Sequence, residues 1–87
     1  MKITKIQKII KKFEKERGWD KTSSLKIIKF IEKEIKEFKK GNKTKRKEKI
    51  YDIFRESIQL ANRYNMDLEK VFKKGIKKSE KKYPVKK

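Results

Sequence analysis

Apolar residues recur every three or four positions along almost the whole chain, which is the spacing of one helical face and not the alternation of a strand. Ile3, Ile6, Ile10 and Phe13 form one such stripe, predicting a first helix over roughly residues 2–17. Gly18 follows where a left-handed residue commonly closes a helix. Thr22, Ser23 and Ser24 offer N-caps for a second helix, whose stripe is Leu25, Ile28, Ile31, Ile35 and Phe38, widened by Ile27 and Phe30. Gly41-Asn42 stops it, and KTKRKEK (43–49) reads as a basic connector running into a third helix. That helix carries Ile50, Ile53, Phe54, Ile58, Ala61 and Tyr64, with Tyr51 and Phe54 expected in the core. Asn65 suits a left-handed turn, and Asp67 can cap a fourth helix holding Leu68, Val71, Phe72 and Ile76. Pro84 keeps the closing KKYPVKK extended. The pattern predicts a single all-α, four-helix domain over 1–87, with short loops and sequential helices packed antiparallel.

Only 33% of the 87 residues are apolar, so the core is thin and dimerisation is the expected way to complete it. There is no cysteine and no histidine, which removes thiolate and imidazole ligands and the usual general base. Any metal would rest on carboxylate oxygens, favouring Mg²⁺, with Mn²⁺ as the alternative. No signal peptide or membrane-spanning apolar run is evident, so a cytoplasmic protein without a membrane partner is expected. The net charge of +18 attracts phosphate, but the excess is spread along the chain and only four of the 30 basic residues are Arg.

Within this basic chain six of the 12 acids fall between residues 32 and 56. Glu34 and Glu37 share a face at i, i+3; Glu48, Asp52 and Glu56 repeat at i, i+4 on the next helix. In an antiparallel hairpin the two sets would meet and repel unless cations lay between them, and two Mg²⁺ ions can bridge a polyphosphate and activate water. Spacing alone leaves the plainer reading open, since Glu32–Lys36 and Lys33–Glu37 are also ordinary helix-surface ion pairs.

The order of several segments is more specific. ERGWDKTSS, EIKEF (34–38), KIYDIFRESIQLANRYNMDLEKVF (49–72) and KKSEKKYPV (77–85) together resemble the MazG-like nucleotide pyrophosphohydrolases over essentially residues 2–87. The resemblance implies an all-α dimer or tetramer that hydrolyses nucleoside triphosphates to monophosphate and pyrophosphate, with Mg²⁺ held by E-x-x-E and E-x-x-D carboxylates. By position, Glu34 and Glu37 match the first pair and Asp52 the last acid, with Glu48 as a displaced fourth ligand. Trp19 matches an aromatic near the base in some members, and Lys82 and Tyr83 match the closing segment. Lys49, Lys74 and Ser79 complete the substrate-side set.

Lys49 stands where the first acid of E-x-x-D belongs, and its ammonium can take a cation's place. Gly75 and Ser79 also depart from the closing motif, where Lys and Asn are usual, although Lys74 precedes Gly75. Three functions are therefore expected in order: a Mg²⁺-dependent nucleoside triphosphate pyrophosphohydrolase, a catalytically inactive nucleotide-binding or interaction module, and a basic module for nucleic acid. For Trp19 a place as a core plug is as consistent with the sequence as stacking on a base, and KTKRK reads as a solvated loop.

Overall fold

A computed structural model describes residues 2–85; Met1 and the final two lysines of the KKYPVKK tail lie outside it. The described residues form helices and connecting turns, with no strand. The helices are α1 (Ile3–Glu16), α2 (Ser24–Lys40), α3 (Lys43–Arg63) and α4 (Leu68–Lys82). Among these residues no helix is long and apolar enough to cross a membrane.

The punctuation follows local chemistry. Gly18 and Asn65 both take left-handed φ, at 71° and 53°, where a backbone reversal favours Gly or Asn. The side chains of Ser23 and Asp67 accept bonds from the first free N–H groups of α2 and α4. The basic connector is not a loop. Asn42 caps α3 by accepting from Lys45 N–H, so the helix starts at Lys43. Arg46 reaches back to donate to the Phe38 and Lys39 carbonyls, satisfying the exposed end of α2. Only Gly41 and Asn42 therefore separate the two long helices.

The α2–α3 hairpin is the largest packing unit, α1 lies on α3, and α4 leans on α1. Among the described residues the buried apolar ones are few: Ile10, Ile27, Ile58 and Ala61. Gln7, Glu14, Glu56 and Gln59 are buried beside them. Gln7 ties α1 to the turn before α4, donating to Asn62 and the Met66 carbonyl and accepting from Leu68 N–H. Glu14, at 1% exposure, pairs with the Arg63 guanidinium, which also donates to the Trp19 and Thr22 carbonyls. One arginine on α3 thus fixes both α1 and the loop carrying Trp19.

The apolar stripes do not all point inward. Within α2 the packed face runs through Ile27, Ile31, Glu34 and Phe38, while Leu25, Ile28 and Ile35 face outward. Ile58 and Ala61 of α3 are buried as expected, but Tyr51 and Phe54 are exposed at 57% and 52%, so neither belongs to this chain's core. The hairpin is apolar on two sides and covers only one. The accessible surface is 7703 Å², against about 5,500 Å² for a compact monomer of this mass. The radius of gyration, 15.2 Å, likewise exceeds the roughly 12 Å of a compact chain this long.

The Glu14–Arg63 pair yields the first test. Arg63→Met leaves a buried carboxylate without its partner and should lower stability by about 3–5 kcal/mol in urea unfolding. Adding Glu14→Leu should restore much of that loss. A single-variant loss below about 1 kcal/mol would show that the pair does not organise the fold.

Candidate functional site: a lysine held among carboxylates

Lys49, Asp52 and Glu56 occupy one face of α3, at i, i+3 and i+7, and look across the hairpin at Glu34 and Glu37 of α2. The Lys49 ammonium lies at the meeting point. Its Nζ stands 2.8 Å from Glu34 Oε2, 2.6 Å from Glu37 Oε2 and 3.7 Å from Asp52 Oδ2. The Glu34 contact is an ion pair off the hydrogen-bond direction. Its contacts with Glu34 and then Glu37 raise the Lys49 pKa above the ordinary lysine value. Reciprocally, contact with Lys49 is the main cause that lowers the Glu37 pKa.

The structure therefore brings together Glu34, Glu37 and Asp52, but around an ammonium. Glu48 is not part of the group. Its side chain is 62% exposed and pairs with Lys45 at 3.9 Å, as expected of a residue rotated about 100° from its neighbour on a helix. Among the described residues no set of three or more carboxylates is arranged to hold a metal ion. The donor set does not fit Mg²⁺ as it stands, because a fixed positive charge occupies the point where the carboxylates converge.

Glu56 is the residue that site reasoning from sequence passed over. It is 5% exposed, and its Oε1 has no hydrogen-bond partner. Burial first, then the neighbouring Glu34 and Asp52 carboxylates, push its pKa up to about 7, against the opposing pull of Arg55 and Lys49. The available signal was its spacing: it continues the Lys49–Asp52 face by one further turn.

Beyond Glu56 the hairpin opens into a cleft of about 380 Å³, roofed by the 17–23 loop and lined by Trp19, Lys26, Phe30, Arg55, Glu56 and Gln59. Trp19 is half-exposed at this cleft and packs edge-on against Phe13 with centroids 5.6 Å apart, so it is not a core plug. The Arg55 guanidinium lies 5.8 Å from the Trp19 ring, donates to Gln59 Oε1 and approaches Asp52. Arg55 thus links the cleft to the carboxylate cluster. Lys74, Ser79, Lys82 and Tyr83 lie elsewhere: all are exposed on or just after α4, which packs mainly on α1. Tyr83 contacts the neighbouring Lys82 ammonium at 5.4 Å from its ring.

No family model, curated protein or solved structure matches this chain.

The raised pKa of Glu56 makes stability depend on pH with a definite sign. The folded state keeps the proton that the unfolded chain releases above the ordinary value of 4.5. The associated stabilisation is complete below 4.5 and is lost as pH rises to about 7. Glu56→Gln should flatten that decline in urea midpoints measured between these limits. An unchanged slope would mean that Glu56 does not titrate there.

Proposed function

We propose that this chain is a small nucleotide-binding module on the MazG-like helical plan, in which the Lys49 ammonium replaces the catalytic cation, so that nucleotide is held without Mg²⁺-dependent hydrolysis. The observation that carries this reading is the placement of Lys49 Nζ against Glu34 and Glu37, with Asp52 close by. An ammonium neutralises the carboxylates as a metal would, but it has no open coordination position and cannot acidify a bound water. The aromatic walls of the cleft and the adjacent Arg55 and Lys26 supply what a ring and a phosphate chain require.

The second reading is a Mg²⁺-dependent nucleoside triphosphate pyrophosphohydrolase, favoured by the convergence of Glu34, Glu37 and Asp52 on one point. It requires Lys49 to leave that point. Pyrophosphate release over a panel of nucleoside triphosphates separates the two. Binding that persists in EDTA, with no Mg²⁺-dependent turnover, is expected of the wild type. Lys49→Glu should bring Mg²⁺ binding, or pyrophosphate release, above the wild-type background. Wild-type turnover with Mg²⁺ would overturn the first reading; no nucleotide binding under any condition would overturn both.

The functional unit in this reading is a homodimer. Leu25, Ile28 and Ile35 of α2 and Ile50 and Phe54 of α3 are the apolar residues a second copy would cover. The surface excess, about 2,200 Å² over a compact monomer, suits the burial of a stable dimer. Sedimentation equilibrium should return twice the monomer mass of 10.6 kDa, and Leu25→Lys with Phe54→Lys should return the monomer. A wild-type monomer at high micromolar concentration would contradict the dimer.

A further inference from the structure

The last helix carries a face that none of the described residues covers. Only its first turn is half-buried, at Leu68 and Glu69; from Lys70 onward every residue of α4 is exposed. Val71, Phe72 and Ile76 lie on one side of it, 51%, 57% and 44% exposed. Lys70, Lys73, Lys77 and Lys81, spaced by three and four, run along the opposite side. Lys74, Lys78 and Lys82 follow one border of the apolar strip, and Lys74, Lys77, Lys78 and Lys81 line an open groove. Gly75 sits within the strip, and a Cβ added there would meet nothing within 4 Å.

Seven lysines stand against two glutamates among the 15 residues of this helix. Such a face fits a partner that takes apolar side chains and cations together. A second copy does not, because it carries the same net charge of +18 and would set lysines against lysines. Nucleic acid offers phosphates to the lysines but leaves Phe72 and Ile76 in water. The surface of an anionic bilayer offers both, acyl chains for the strip and headgroup phosphates for the ammonium groups around it. No described helix is long and apolar enough to cross a bilayer, but lying on one requires only a face of this kind.

We propose that α4 is a membrane-surface helix, lying on anionic lipid with Val71, Phe72 and Ile76 inserted below the headgroups and its lysines among their phosphates. This role is independent of the nucleotide reading and stands or falls without it.

Flotation of the full chain with vesicles at about 0.15 M salt tests it. The probes are vesicles of phosphatidylcholine alone and of phosphatidylcholine mixed with phosphatidylglycerol. The protein should float with the mixed vesicles and not with phosphatidylcholine alone, each lysine near the surface contributing about fivefold. Phe72→Ser with Ile76→Ser keeps every lysine, changes only exposed positions and should weaken binding at least about tenfold. Gly75→Leu enlarges the strip into open space and should strengthen binding about threefold. Insertion is read separately in Trp19→Phe with Phe72→Trp, whose emission should shift to the blue on mixed vesicles but not on duplex DNA. Failure of the wild type to bind mixed vesicles overturns the proposal. Undiminished binding by the double serine variant does the same, since it leaves only the charge attraction that any polyanion exerts. An unshifted emission on mixed vesicles also overturns it. Loss of self-association in the double serine variant would give the face to a second copy and overturn it as well.

Discussion

The contact between the Lys49 ammonium and the carboxylates of Glu34 and Glu37 is the constraint on which the hairpin depends. The α2–α3 surface is the largest interhelical contact in the chain, and four acids from the two helices face into it: Glu34, Glu37, Asp52 and Glu56. Without a positive charge between them, like charges in a partly buried setting would oppose closure of the hairpin. A metal ion is one solution to that problem. A lysine on the same face is another, and it requires no cofactor, but the positions it neutralises are then no longer free to coordinate one. In the proposed reading the same residue stabilises the fold and limits the chemistry.

The second constraint is area. A chain with 48% charged residues and few buried aliphatics compensates with buried polar links, chiefly Glu14–Arg63 and the Gln7–Asn62 network. Both fasten α1 to the end of α3, leaving the opposite side of the hairpin uncovered. Buried polar links give register and orientation more than net stability, and that suits an element whose role is to hold the Trp19 loop over the cleft. The missing apolar burial belongs to the faces of α2 and α3 that none of the described residues covers.

The existence of four helices, and the caps of α2 and α4, were legible because local chemistry fixes them. Gly18, Ser23, Asn65 and Asp67 act within a few residues of themselves, and the structure places each as the sequence implies. The start of α3 was misread because a lysine-rich run looks like a solvated loop, whereas lysine is a good helix former once Asn42 supplies the cap. Tyr51 and Phe54 were misassigned to the core because helical spacing reveals an apolar face but not what covers it. The convergence of Glu34, Glu37 and Asp52 was readable from their spacing in a hairpin. The outward turn of Glu48 follows from a one-residue shift. Glu56 was visible only as another i, i+4 acid, since its burial depends on α2 and the 17–23 loop beside it, which no local pattern encodes.

Whether a lysine or a metal completes the acidic cluster is decided by Mn²⁺ titration followed by amide NMR. Paramagnetic broadening falls off steeply with distance, so an ion held by these carboxylates would selectively erase signals around residues 34–37 and 49–52. Wild-type protein in millimolar Mn²⁺ should show only diffuse, non-saturating broadening, while Lys49→Glu should show selective loss at those positions. Saturable, selective broadening of the same signals in the wild type would contradict the role of Lys49, because a metal would then be displacing its ammonium from among the carboxylates.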